Sequence, residues 1–464
     1  MDPVSCEYSL GSHARGEVHR YPAPGLIELG DAAVRVIDAC LRAGGRPLIV
    51  GGAVRDAIRT PGIRAGDVDI EVHGEVDVAA VESELSAVGR TDRTGAHFEI
   101  LRVTAAGEHF DVSVTTLVER EAFARRDFTI NAMGWDPVSG ELIDPFGGAA
   151  DLRDGVLRHT SDRFADDPAR VLRAMQLAAR FGLRLDLATA RLARAIRPSF
   201  ALLPVERVWL EWRKLARSGV DISAGLRVLE ATGWLACFPE LAATRGCEQD
   251  PSWHPEGDVF THLGLAADEC ARVAVEEGWD GLRRERVVLA TLLHDLGKPQ
   301  TTVREVDGRI TSRGHAQVGA EVARAFLRRI GAPHPLTADV ATLVAEHMTA
   351  TTVPGRPSRH AVRRLGRRLG RVSIDDWAAV VDADCAGRGA GARPSPAREW
   401  LDRWRADDRA GSVPLLTGRD LIDHGTAPGP DFKAVLVAAL DAQDAGEFVD
   451  HDGALGWLRA RRGR

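Results

Sequence analysis

"GDVDIEV", residues 66–72, alternates acidic and aliphatic side chains. A β-strand has a side-chain period of two, so Asp67, Asp69 and Glu71 share one face and Val68, Ile70 and Val72 the other. Packing accounts for the aliphatic face. Three neighbouring carboxylates repel one another, so the acidic face implies a positive partner. Just upstream, "LIVGGAVRD" (48–56) reads as a buried strand, two glycines and a helix start. Glycines let a backbone approach a ligand closely, and the first amides of a helix attract phosphate. Acids spaced i, i+2 on one strand face suit Mg²⁺, which prefers hard oxygen ligands and substrate phosphates. The combination reads as a two-metal phosphoryl or nucleotidyl transfer site, with Asp67 and Asp69 as metal ligands and Gly51 and Gly52 beside the phosphates. Asp111, in "HFDVSV" (109–114), is either a third carboxylate from a neighbouring strand or an exposed edge residue.

The chain has 464 residues, enough for several domains. Its 44% apolar and 27% charged content is that of an ordinary globular protein. No apolar run reaches the length of a membrane span, and the first residues carry no signal-peptide core, so no membrane partner is expected. Six cysteines without a CxxC spacing suit a reducing cytoplasm. A net charge of −7 means that any nucleic-acid surface must be local. The run "RPSRHAVRRLGRRLGR" (356–371) supplies one, and Arg363, Arg364, Arg367 and Arg368 are its RNA-binding candidates. The bland alternative is a solvated helix face.

Residues 1–25 read as loosely ordered. "DAAVRVIDACLRAGG" (31–45) has the period of an amphipathic helix ending at glycine. A further helix near 77–88 and strands near 98–104 and 108–114 complete a mixed α+β region. Beyond about residue 155 amphipathic helices dominate, broken at 247–258 and 386–397.

Five motifs then occur in a telling order: "GGAVRD…GDVDIEV", "RRDFTINAM" (125–133), "IDPFGGAADLRDGVLRHT" (143–160), "FADDPARVLRA" (164–174) and "ERVWLEWRKL" (206–215). Together they resemble the bacterial class II tRNA nucleotidyltransferases, the CCA-adding enzymes and their poly(A) polymerase relatives. The resemblance implies a polymerase-beta-like head with a mixed sheet, followed by all-helical neck, HD and tail regions. We place the flexible N-terminus at 1–25, the head at 26–160, the neck at 161–250, the HD region at 251–395 and the tRNA-binding tail at 396–464. It further implies that Asp67 and Asp69 hold Mg²⁺, that Gly51, Gly52 and Arg55 sit by the triphosphate, and that Arg126, Asp127 and Asn131 lie near sugar and triphosphate. "DDPAR" matches the motif whose Asp and Arg read the base edge of CTP or ATP, here Asp167 and Arg170, with Arg173 a turn further on. A guanidinium fork beside a carboxylate can imitate a complementary base. Asp167 before Pro168 is also a good helix start, and the two roles are compatible.

One departure bears on the product. Family members that add all of CCA carry a longer connection, with a flexible loop, where this chain has only "TTLVEREAFA" (115–124). That shortening resembles enzymes that add only CC, and the alternative is that another segment takes over the loop's role, so the expected product is CC or CCA.

A second constellation lies downstream: His262, the adjacent His294–Asp295 of "LLHDLGKP", His315, His347 and Asp384. Spaced imidazoles and carboxylates suit a divalent transition metal or Mg²⁺, whose bound water is a hydrolytic nucleophile. Their order resembles the HD phosphohydrolase superfamily, and "WHPEGDVFTH" (253–262) resembles nucleotidyltransferases that carry such a domain, with Lys298 beside the metal. There the implied activities are phosphatase and 2′,3′-cyclic phosphodiesterase, which would repair RNA ends. The expected partners are therefore tRNA, CTP and ATP. Rival readings are a poly(A) polymerase, an HD hydrolase with a nucleotide-sensing head, and an RNA-binding scaffold with both sites dead.

Overall fold

The computed structural model describes residues 18–60, 68–94, 100–352, 356–407 and 413–462. Asp67 lies outside the described residues. The chain divides into two compact units, Met1–Leu203 with Arg227–Trp234, and Pro204–Leu226 with Leu235–Arg464. The neck expected at 161–250 is therefore shared between them.

The first unit is built on a mixed sheet of eight strands: β1 (His19–Pro22), β2 (Arg46–Val50), β3 (Val68–His73), β4 (Arg90–Thr94), β5 (Ile100–Ala105), β6 (Glu108–Thr115), β7 (Gly134–Asp136) and β8 (Glu141–Asp144). Their order is β1-β8-β7-β2-β3-β6-β5-β4, and only β3 and β6 run parallel. β1 corrects one expectation. Its residues fall inside the supposedly loose 1–25 segment, yet His19–Pro22 pairs antiparallel with Glu141–Asp144.

The two faces of the sheet differ as the alternation in 66–72 requires. Ile49, Ile70, Val72 and Val112 join Val36, Ile37, Val81 and Leu85 from helices Asp31–Arg42 and Val78–Ser86 in one large core. The opposite face carries Asp69, Glu71 and His73. There Leu48 is the register partner of Glu71 and Val50 of Asp69. Leu48 and Val50 pack with Phe123, Ala132 and Ile143 in a smaller cluster. The acids thus stand at the margin of an apolar floor.

β6 lies between β3 and β5, so Asp111 is on an interior strand and the edge-residue reading fails. The short 115–124 connection holds helix Glu119–Phe123. Glu119 pairs with Arg20 at 2.6 Å and Arg46 at 2.7 Å, and Phe123 is fully buried. This connection is a packed part of the head.

The second unit is helical, with one correction: Val303–Arg304 and Ile310–Thr311 form a small antiparallel hairpin within the region expected to be all-helical. Helices Val259–Glu276, Gly281–Leu293, His315–Arg329, His334–Glu346 and Ile374–Ala386 surround the histidine cluster. Gly297 explains the close approach of the His294–Asp295 turn to the next helix. A Cβ there would lie 2.1 Å from the backbone oxygen of His315. Toward the C-terminus, Leu416, Leu421, Ala439, Phe448 and Leu458 form a separate small core.

Candidate active sites

In the head, β3 and β6 are in parallel register with Asp69 opposite Asp111. Register partners on parallel neighbours point to the same face, so the structure brings these carboxylates together. Arg102, the partner of Asp111 on β5, donates to both its oxygens at 2.9 and 3.2 Å. Gly51 turns the chain between β2 and helix Gly52–Arg59 with φ 75°. A Cβ at Gly51 would meet Arg126 Nη1 at 3.0 Å and Asp69 Oδ2 at 3.4 Å. The glycine therefore keeps open a cradle between a guanidinium and a carboxylate, which is the space a metal-bound phosphate needs. The residues present fit Mg²⁺.

Glu71 is not grouped with the metal ligands. Its carboxylate lies 2.8 Å from His73 Nε2 and 3.5 Å from Arg126 Nη2. Burial would raise its pKa, but His73 and Arg126 outweigh that and hold it below the usual range. Arg126 also stacks over Phe123 at 5.8 Å. The third acid of the strand thus faces a protein cation.

The remaining motif residues form one chain of bonds. Arg55 Nη1 donates to Asn131 Oδ1 at 2.7 Å, and Asn131 Nδ2 donates to Asp127 Oδ1 at 3.0 Å. Arg173 Nη1 donates to Asp127 Oδ2 at 2.8 Å. Asp127 is buried, which favours its neutral form, yet Arg173 and these donors hold its pKa below the ordinary value. Arg170 is arranged otherwise. Both its Nη atoms donate to backbone, to the carbonyls of Arg163 and Arg125 at 2.6 Å each. Asp167 Oδ1 accepts from the Ala169 amide at 3.1 Å, the helix-start role.

The second unit holds the histidine set beside a cavity of about 600 Å³, whose wall includes Asp295, His315, His347 and Asp384. His262 Nε2 lies 3.3 Å from His294 Nε2 and 3.1 Å from Asp384 Oδ1. His315 Nε2 lies 3.2 Å from His347 Nε2 and 3.1 Å from Asp295 Oδ1. That oxygen has no aligned hydrogen-bond donor although it is buried. All six side chains are buried, and four imidazole nitrogens converge on two carboxylates. Neutral imidazoles and an underused carboxylate oxygen fit a divalent cation.

The two carboxylates draw positive charge to the cluster, which protons supply where no ion is bound. Burial would lower the His262 pKa, but Asp384 and Glu256 push it up to about 9. His347, buried beside His294, is pushed down to about 3. Asp295 and Asp384 stay well below the carboxylate range despite burial, held by His294 and Lys298 in one case and His262 in the other. Lys298 lies 2.6 Å from Asp295 Oδ2 and donates to Gln249 Oε1 at 2.7 Å. Sequence reasoning missed Gln249, His254, Glu256 and Arg388. Arg388 donates to Asp384 at 3.0 Å, and Glu256 touches His262. The i, i+4 spacing of Asp384 and Arg388 was a usable signal.

The basic run is corrected in part. Arg363 is buried, binds Asp407 with two bonds of 2.6 Å and donates to the Asp444 carbonyl, so it cannot meet RNA. Arg367 is paired with Asp444, and Arg368 with Glu346 at 2.8 Å. Arg364 is half-exposed, 3.9 Å from Asp441. In an amphipathic helix every fourth residue returns to the same face, and here that face is covered by the C-terminal helices.

Comparison with known proteins agrees with this geometry. The Poly A polymerase head domain family matches residues 48–158, and the HD domain family matches 259–379. The Multifunctional CCA protein of Xanthomonas campestris pv. campestris (strain B100) is 33% identical over 418 residues, covering 84% of this chain and 96% of that protein. The Multifunctional CCA protein of Halorhodospira halophila is 34% identical over 423 residues, covering 86% and 90%. Among solved structures, the Bacillus stearothermophilus CCA-adding enzyme in complex with CTP shares the fold with a TM-score of 0.63 at 23% identity, over 94% of this chain and 98% of that one. The Thermotoga maritima CCA-adding enzyme complexed with tRNA shares it with a TM-score of 0.56 at 20% identity, over 92% and 93%. Relatedness along nearly the whole length of these proteins shows that the chain belongs to the multifunctional CCA protein family of nucleotidyltransferases.

Proposed function

We propose that the head adds cytidylates to tRNA 3′ ends without a nucleic-acid template, using CTP and releasing pyrophosphate. The observation that carries this is the pairing of Asp69 with Asp111 beside the Gly51 cradle. Asp69 and Asp111, with Asp67 from the same motif, would hold Mg²⁺, which supplies charge neutralisation of the triphosphate and activation of the primer hydroxyl. Arg126 lies where it can bind the triphosphate, and Glu71 fixes its orientation. Arg55, Asn131 and Asp127 brace this pocket, and Arg173 ties Asp127 to the helix that starts at Ala169. Base reading by Asp167 and Arg170 requires Arg170 to exchange a backbone carbonyl for the base edge. The packed 115–124 connection, with Glu119 and Phe123 both anchored, favours a CC product over CCA. Incubation of a tRNA transcript lacking CCA with CTP and Mg²⁺ tests the reading: extension supports it, and an unchanged transcript contradicts it.

The histidine cavity supports a second activity, metal-dependent hydrolysis of phosphoesters at RNA ends. His262, His294, Asp295, His315, His347 and Asp384 would hold the ion. A divalent cation held there would supply acidification of a water nucleophile. Lys298 and Arg388 line the cavity and bring positive charge to it. Release of phosphate from a 3′-phosphorylated RNA, lost in Asp295→Ala, tests it. No helix among the described residues is long and apolar enough to cross a membrane. We place the protein in the cytoplasm, where its free cysteines (Cys40, Cys237, Cys247, Cys270 and Cys385) remain reduced.

A further inference from the structure

The four imidazoles of the histidine cavity are not held in the same way. In His294, His315 and His347 the Nδ1 atom bonds a backbone carbonyl three residues earlier, those of Thr291, Ser312 and Val344, each at 2.7 Å. This is possible because each sits at a helix boundary. His294 and His347 follow the last helical residues Leu293 and Glu346, and His315 opens helix His315–Arg329. Carbonyls in a last turn have no helical amide to satisfy them, and the Ser312 carbonyl, just before a first turn, takes the His315 amide at 3.3 Å and keeps a lone pair for the ring. The bond costs no helix hydrogen bond, and it turns Nε2 toward Asp295.

His262 cannot do this. It lies within helix Val259–Glu276, where the carbonyl three residues back belongs to Val259 and serves the helix ladder. Its Nδ1 instead lies 2.7 Å from Oε1 of Glu256, an ion-pair contact without hydrogen-bond alignment, and no aligned hydrogen bond among the described residues satisfies that buried nitrogen. The Glu256 side chain is only 5% exposed. It is braced from the other side by His254, whose Nδ1 is 2.9 Å from the same oxygen. Asp258 caps the helix through the Thr261 amide at 2.9 Å, which fixes the loop that delivers Glu256.

We propose that Glu256 is the positioning residue for His262: its carboxylate substitutes for the missing backbone acceptor, fixes the tautomer, and presents Nε2 to the metal. The inference rests on the reading of the cavity as a metal site. Outer partners of metal-bound imidazoles raise ligand basicity, and their loss lowers metal affinity about 10–100-fold.

The test is equilibrium dialysis of the full chain, stripped with chelator, against Co²⁺, with bound metal counted and the visible Co²⁺ spectrum recorded. Glu256→Gln and Glu256→Ala are compared with wild type and with Asp295→Ala, and circular dichroism of the metal-free proteins confirms folding. We expect both Glu256 variants to bind the same number of ions with a Kd raised about 10–100-fold and an altered spectrum. The Gln variant is expected to retain part of the affinity. Unchanged Kd and spectrum in both would overturn the proposal. Loss of a whole ion equivalent would also overturn it, since Glu256 would then be a ligand. If wild type binds no more Co²⁺ than Asp295→Ala, the metal reading itself falls, and the role of Glu256 with it.

Discussion

Asp69 on β3 and Asp111 on β6 are register partners on the only parallel strand pair of the sheet, and Arg102 grips Asp111 from the other side. Parallel pairing puts the two carboxylates on one face and at one level. If both hold Mg²⁺, Asp69→Asn and Asp111→Asn each remove several kcal/mol of transition-state stabilisation, on the order of 10³-fold in rate. Single-turnover extension with CTP should show that loss while the melting temperature stays near wild type. A variant that retains normal rates would remove its carboxylate from the metal site.

Glu71 and Arg126 give a subtler outcome. Charge-assisted bonds to a partly buried carboxylate contribute about 1.5–3 kcal/mol, and the 3.5 Å separation places this one at the weak end. Glu71→Gln should therefore raise the KM for CTP by about tenfold with a smaller change in kcat. Added to Arg126→Ala it should have little further effect, because its partner is already gone. Additive losses in that cycle would separate the two residues.

Arg363 and Arg364 are neighbours in sequence with opposite fates. Arg363→Ala removes the guanidinium bound by both oxygens of buried Asp407, and should destabilise the second unit by about 3–5 kcal/mol, read by denaturant unfolding. Replacing both partners with apolar residues should recover most of that loss. Arg364→Ala should leave stability unchanged and reduce the slope of log tRNA affinity against log salt by about one. An equal slope would exclude Arg364 from the RNA surface.

Asp127 links stability to pH. Its folded pKa is lowered, so ionised Asp127 stabilises the fold above the unfolded value of about 3.9. That contribution is lost as pH falls through the folded pKa. Asp127→Asn should flatten the acid limb of the stability curve below about pH 4 and lower stability at pH 7. An unchanged acid limb would show that other carboxylates set it.

The elements that sequence made legible are those with a strong period or a fixed spacing. The alternation in 66–72 yields the two faces of β3, and the order of His262, His294–Asp295, His315, His347 and Asp384 yields the six side chains that the fold brings together, because each residue type announces its chemistry. What stayed hidden depends on partners far along the chain. His19–Pro22 has no strand pattern of its own and exists because Glu141–Asp144 offers an edge. Arg363 looks identical to its neighbours until Asp407 arrives from 44 residues away. Glu256 is one acid in a loop, and its meaning depends on His262 being inside a helix while the other three histidines are at helix ends.

The most direct measurement of the central claim is nucleotide-resolution extension of a tRNA transcript ending before CCA, with wild type and Asp69→Asn, given CTP, ATP or both. The expected result is two added residues with CTP, the same two with both nucleotides, and none in the variant. A third residue with both nucleotides would credit the enzyme with full CCA addition and overturn the argument from 115–124 alone. No extension by wild type, or a long tail from ATP alone, would contradict the account.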